Sequence, residues 1–232
     1  AVFVNFRAVN LYEFYFVTVS VHIRRISIDG IADSVFRIIV YGNNVHKPRH
    51  RTGSFFFRRI HKRNIAHKAA AMVPDGSIVF LDQSSTCYHL AEALMEKRDL
   101  TVVTNNLEIA RLLSQTNFLV HVSGGHLCNH ARTCMVGEDA HSIFLNIYAD
   151  FAFFSTRSLS ADGIVSDCNR DEINVRNAML KHAKCKVFLC DSSKFDSAAG
   201  YIQCTLQDLD VMISEEDTAS VYGEAFPELR IL

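Results

Sequence analysis

Residues 80–90 read FLDQSSTCYHL, so an apolar run closes on Asp82 and spends Gln83, Ser84, Ser85 and Thr86 before a helical pattern begins. Small hydroxyl side chains there have two uses. They can cap the helix by accepting its first backbone N–H groups. They can also help to hold an anion, because free N–H groups at a helix N-terminus and hydroxyl donors together favour negative charge. A phosphate at such a loop also calls for a cation, and Lys194 or Arg157 could supply it.

Similar residues follow the other apolar runs. The run 100–105 ends in Thr104, Asn105 and Asn106, the run 118–123 is followed by Gly124 and Gly125, the run 150–155 ends in Ser155, Thr156 and Arg157, and the run 186–191 leads to Asp191, Ser192, Ser193 and Lys194. Each has a plainer role as a cap, a tight turn or a surface charge. Five such loops at one edge of a sheet, with donors, carboxylates and a lysine, suit a hydroxyl-rich anion such as a sugar phosphate.

The elements that must position these loops alternate. SIVFLD (77–82) is a short β-branched and aromatic run entered through the turn Pro74-Asp75-Gly76. Cys87, Leu90, Ala91 and Leu94 then recur at helical spacing. LTVVTN reads as strand, LEIARLLSQ as helix, FLVHVSGG and DFAFFST as strands, DEINVRNAMLKHAKC as a helix with Ile173, Val175, Ala178, Met179 and Ala183 inward, and KVFLCDSS and DVMISEE as strands. Continuous apolar strands separated by helices predict an α/β fold, a mostly parallel sheet covered on both faces. Ligands of such sheets bind at the carboxyl ends of the strands, where these loops gather.

The chain has 232 residues and a net charge of −1, but residues 1–68 carry 12 Lys and Arg against three acids, and the remainder 12 against 22. A basic end on an acidic body fits a nucleic-acid-binding module joined to another domain, or a solvated basic linker. HKPRHRTGSFFFRRIHKR looks like a linker or exposed arm, which divides the chain into a basic region 1–63 and a domain 64–232. Arg7, Asn10 and Glu13 interrupt the N-terminal apolar stretch, so neither a signal peptide nor a membrane span is expected, and a cytoplasmic protein is. Seven cysteines without a C-x-x-C pair argue against a disulfide framework and a zinc ribbon. His121, His126 and His130 read as loop or solvent-facing, and neither metal nor cofactor is called for.

IAHKAAAMVPDGSIVFLDQSSTCYHLAEAL, LTVVTNNLEIARLL, VSGGHL, VGEDA, DFAFFSTRSLSADGIVSDCNRDEINVRNAM and VFLCDSSKF resemble, in order and spacing over about residues 64–216, the effector-sensing domain of DeoR-type bacterial transcriptional regulators of sugar metabolism. The resemblance implies a fold like that of ribose-5-phosphate isomerase and glucosamine-6-phosphate deaminase, and a phosphorylated sugar effector that modulates DNA binding. It implies that Asp82, Ser84, Ser85 and Thr86 form the phosphate or sugar loop, that Thr104, Asn105, Gly124 and Gly125 line the pocket, and that Asp162, Gly163, Glu172 and Lys194 complete it. Two departures stand out. Arg176 replaces a lysine frequent in the family, keeping an ion pair with different geometry, and Thr156-Arg157-Ser158 replaces a C-K-G segment.

The family's winged helix-turn-helix is represented only by stretches around Arg24-Arg25 and Val40–Val45. Arg24 and Arg25 could contact the phosphates of a DNA operator; a basic arm is the alternative. A regulator of this kind is expected to be a homo-oligomer. Two other functions compete. One is a sugar-phosphate isomerase or deaminase using Asp162, Glu172 and Lys194 as carboxylate base and oxyanion stabiliser; the other is a vestigial pocket in a domain that serves only assembly.

Overall fold

The computed structural model describes residues 51–214 and 222–232, with side chains from Arg58 onward. The chain divides between Pro48 and Arg49, and the stretches around Arg24-Arg25 and Val40–Val45 lie outside the described residues.

The first described element is helix α1, Arg51–Ala71. Ile65, Ala66, Ala69 and Ala70 are all buried, a spacing that puts one apolar stripe against the core. Met72 and Val73 donate to the carbonyls of Ala69 and Ala70, tightening the last turn, and Pro74 cannot extend it. The segment expected to be a linker is therefore helical from Arg51, and the boundary expected at 63/64 falls inside a continuous helix. Its apolar stripe explains this: Ile65 and Ala66 anchor the turns that precede them.

The remaining elements are β1 (Ile78–Leu81), α2 (Ser85–Leu94), β2 (Thr101–Thr104), α3 (Leu107–Leu113), β3 (Leu119–Val122), β4 (His126–Leu127), β5 (Met135–Val136), α4 (Glu138–Leu145), β6 (Ala149–Phe154), β7 (Ser158–Leu159), β8 (Ile164–Asp167), α5 (Arg170–Lys181), β9 (Ala183–Leu189), β10 (Tyr201–Thr205), β11 (Val211–Ile213) and β12 (Arg230–Ile231). Seven strands form one sheet in the order β12-β11-β9-β6-β1-β2-β3. Every described pair in it is parallel.

The strands serve two cores by alternation. Val79, Leu81, Val102, Phe153, Val187 and Leu189 join α1, α2 and α3 on one face, while Phe80, Val103, Ala152, Phe154 and Phe188 join α4 and α5 on the other. This is the α/β fold with a parallel sheet covered on both faces that the sequence predicts.

Two expectations change. The helix predicted over 171–185 ends at Lys181, with His182 as its C-cap, and Ala183–Cys185 instead pair with Ala149–Phe151 on β6. A small antiparallel sheet, β10-β8-β7, and the hairpin β4-β5 lie outside the predicted pattern. Their strands are two to five residues long and too short for a periodic signal.

Candidate functional site

The chain builds β1, β2 and β3 outward in one direction, then returns and builds β6, β9, β11 and β12 in the other. Strands β1 and β6 are neighbours, so their carboxyl ends mark the topological switch point, where loops part and a ligand crevice opens. Asp82 follows β1 there and Ser155 follows β6.

Asp82 is fully buried and ties both loops together. Its Oδ1 accepts the Ser84 N–H at 2.9 Å, and its Oδ2 accepts the Ser155 N–H at 3.1 Å. The same Oδ2 pairs with Arg176 Nε at 3.1 Å. Arg176 comes from α5 and is 1% exposed. Its Nη2 also lies 2.8 Å from Asp167 Oδ2 and 3.1 Å from Glu172 Oε2, and its Nη1 donates to Gln203 Oε1 at 3.4 Å. The Glu172–Arg176 pair expected from the i, i+4 spacing is present, and Asp82 and Asp167 enlarge it to one guanidinium among three carboxylates.

The electrostatics follow from that count. Burial pushes the Glu172 carboxyl above its ordinary value; Arg176 opposes the shift, and Asp167 and Asp82 reinforce it. Burial would lower the Arg176 pKa, yet the surrounding carboxylates raise it, so the guanidinium stays charged. Gln83 Nε2 donates to Glu172 Oε2 at 2.6 Å, Gln83 Oε1 accepts from Asn105 Nδ2 at 3.4 Å, and the Gln83 carbonyl accepts from Asn106 Nδ2 at 3.0 Å. The loop after β1 is thus fixed by α5 on one side and by the β2 loop on the other.

Next to this network is a positively charged corner. Ser84 is the N-cap of α2 and accepts the Cys87 N–H at 3.1 Å. Ser85 is exposed, while Thr86 is buried in the first turn. Lys194, on the short 3₁₀ turn after β9, lies 3.4 Å from Asp191 Oδ2 and donates to Ser155 Oγ. Burial opposes ionisation of Asp191, but Lys194, Ser193 and Lys62 outweigh it and hold the carboxyl below its usual range. From α1, Lys62 Nζ donates to Ser85 Oγ at 2.9 Å.

Of the residues expected at the site, Asp82, Asn105 and Glu172 share one hydrogen-bonded network, and Ser84, Ser85 and Lys194 border it. Thr104 is buried and braces the β2 loop by accepting the Asn106 N–H at 3.1 Å. Gly124 and Gly125 are exposed in the turn after β3. Gly125 has φ +98°, and a Cβ there would meet the Val136 carbonyl oxygen at 2.3 Å, so its need for glycine lies in the β4-β5 hairpin. Asp162 and Gly163 are not brought to the network: Asp162 is exposed and bonded to Ser160, while Gly163 packs on Phe226 and accepts the Leu206 N–H at 2.9 Å. Arg157 is exposed after β6.

Asp167, Gln203 and Lys62 are members that sequence reasoning missed. Asp167 and Gln203 sit on the short strands of the antiparallel sheet, which left no periodic signal. Lys62 did leave one: with Ile65, Ala66 and Ala69 it forms an i, i+3, i+4, i+7 series, hidden in a basic run that looked like a linker.

Among the described residues no cluster of His, Cys, Asp and Glu could hold a metal ion, and no helix is long and apolar enough to cross a membrane. Burial raises the Cys87 thiol pKa far above its usual value, which keeps it protonated and poorly nucleophilic.

The family described as the DeoR C terminal sensor domain matches residues 58–216. The uncharacterized HTH-type transcriptional regulator YgbI of Escherichia coli is 31% identical over 176 residues, covering 75% of this chain and 68% of that protein. The glycerol-3-phosphate regulon repressor of Haemophilus influenzae is 31% identical over 144 residues, covering 62% of this chain and 56% of its own length. Among solved structures, ribose 5-phosphate isomerase A of Methanocaldococcus jannaschii aligns with 17% identity and a TM-score of 0.43, covering 58% of this chain and 53% of that one. Both of these curated relatives carry the names of transcriptional regulators. With a match that spans most of the chain and includes every residue of the buried network, the protein belongs to the DeoR C-terminal sensor domain family.

Proposed function

We propose that this chain is the effector-sensing part of a transcriptional regulator of sugar metabolism. In this proposal a phosphorylated sugar binds at the β1/β6 switch point, with its phosphate against Ser84, Ser85 and Lys194, and its binding modulates association with DNA. The observation that carries the reading is the placing of Lys194 on Ser155, beside a loop that opens α2 with two serines. Backbone N–H groups, hydroxyls and an ammonium are the donor set that a phosphate monoester requires. Relatives named for a glycerol-3-phosphate regulon and an L-fucose operon support a sugar-derived effector. The excess of Lys and Arg over residues 1–68 supports a DNA partner, with Arg24 and Arg25 as phosphate contacts, and operator symmetry favours a homo-oligomer.

Geometry speaks against the isomerase or deaminase alternative. Glu172 is engaged by Arg176 and Gln83, Lys194 by Asp191 and Ser155, and Asp162 stands in an exposed turn, so the three do not converge on one reacting carbon.

The test is a set of melting curves with sugar phosphates and their unphosphorylated parents at equal concentration. A rise with at least one phosphorylated compound and none with its parent is expected. No rise with any sugar phosphate contradicts the proposal.

A further inference from the structure

We propose that Lys62 contacts the bound anion directly, so that the effector joins helix α1 to the Ser84–Ser85 loop. This rests on the effector reading of that loop and adds a binding residue from another element. Lys62 is half-buried, and among the described residues its hydrogen bond goes to a neutral hydroxyl, Ser85 Oγ, at 2.9 Å. The apolar stripe Ile65, Ala66 and Ala69 fixes the roll of α1 against the helical layer that contains α2, which presents Lys62 to the first turn of α2.

The local charge is unbalanced. Lys62 and Lys194 approach the same loop, Arg58 lies one turn earlier on α1, and the carboxylate that attracts both lysines, Asp191, is engaged by Lys194 and Ser193. Burial is the largest cause that lowers the Lys62 pKa, Lys194 and Arg58 lower it further, and Asp191 offsets them only in part. A half-buried ammonium held on a hydroxyl and repelled by a second ammonium costs free energy, whereas an arriving dianion makes both ammonium groups favourable. An ion pair built for stability alone would place a carboxylate where Ser85 stands. Because α1 is also the element through which the chain runs back toward residues 1–50, the anion contact is made by the helix that joins the sensor to the basic region.

The experiment uses the full chain as wild type, Lys62→Met, Lys62→Arg and Lys194→Met. The probe is inorganic phosphate, or the sugar phosphate giving the largest melting shift, against chloride at matched ionic strength. Affinity is read by calorimetry, and amide hydrogen exchange is followed over residues 58–71. The expected result is a loss of about tenfold or more for Lys62→Met, the scale of one charged hydrogen bond, with most of the affinity kept in Lys62→Arg. Exchange along α1 slows with probe in the wild type and is unchanged by it in Lys62→Met. Wild-type affinity in Lys62→Met, together with loss in Lys194→Met, overturns the role of Lys62 and leaves the effector site standing. If Lys62→Met does not fold, exchange in the wild type decides: no slowing along α1 at saturating probe overturns the inference. Binding of neither inorganic phosphate nor any sugar phosphate overturns both this inference and the effector reading.

Discussion

Arg176 Nε lies 3.1 Å from Asp82 Oδ2, which joins a buried guanidinium on α5 to the carboxylate that closes β1. The pair sets the shape of the loop at the switch point, since Asp82 also receives the N–H groups of Ser84 and Ser155. Replacing Arg176 by Met leaves Asp82, Asp167 and Glu172 without their shared cation. Breaking a buried ion pair in this way costs about 3–5 kcal/mol. Urea unfolding should show that loss, and a loss below about 1 kcal/mol would mean that the carboxylates find other partners.

The same cluster predicts a pH dependence. The folded-state pKa of Glu172 is raised, with burial the largest cause. Its stabilising contribution is therefore complete below the unfolded value, near 4.5, and declines as pH rises through the folded value. Glu172→Gln keeps an acceptor for Arg176 and an amide beside Gln83 but carries no charge. Melting temperature followed from pH 4 upward should fall less steeply in this variant than in the wild type, and parallel curves would contradict the assignment.

Ser84 and Ser85 separate the two uses of the loop. Ser84 Oγ caps α2 through the Cys87 N–H, so Ser84→Ala should cost about 1 kcal/mol of stability. Ser85 is exposed and makes its hydrogen bond with Lys62 Nζ. Ser85→Ala should leave unfolding within about 0.5 kcal/mol of wild type while weakening phosphate binding. Equal destabilisation by both would make the pair a cap and nothing more.

The glycine pair after β3 divides in the same manner. A Cβ at Gly124 would come no closer than 3.4 Å to Asp139, whereas at Gly125, with φ +98°, it would meet the Val136 oxygen at 2.3 Å. Gly125→Ala is expected to destabilise by about 1–3 kcal/mol, and Gly124→Ala by less than about 0.5 kcal/mol. Similar losses at both positions would mean that the hairpin moves to accommodate the clash.

The parallel sheet was legible because its strands are buried on both faces: Val79, Phe80 and Leu81 form one apolar run whose members divide between the two cores. The position of Asp82 and Ser84 could be read as well, since each ends or begins a strongly periodic element. What escaped were contacts between elements remote in sequence. Nothing local to Asp167 or Gln203 announces that both meet Arg176, because their strands are short and pair antiparallel beside the main sheet. Asp162 and Gly163 were expected at the pocket through resemblance, but the turn between β7 and β8 directs them to Ser160 and Phe226. Lys62 was hidden by composition: a basic run looks solvated, although its helical spacing with Ile65 and Ala66 places it over α2.

The most direct test is calorimetric titration of the wild-type chain and its Lys194→Met variant with the sugar phosphate that raises the melting temperature most. A ligand at 100 times its dissociation constant stabilises the folded state by about 2.7 kcal/mol, so the compound is found readily from melting curves. Saturable binding to the wild type, weakened about tenfold or more in a Lys194→Met protein that still folds, is the predicted result. Undiminished affinity in Lys194→Met would contradict an anion site at the β1/β6 switch point.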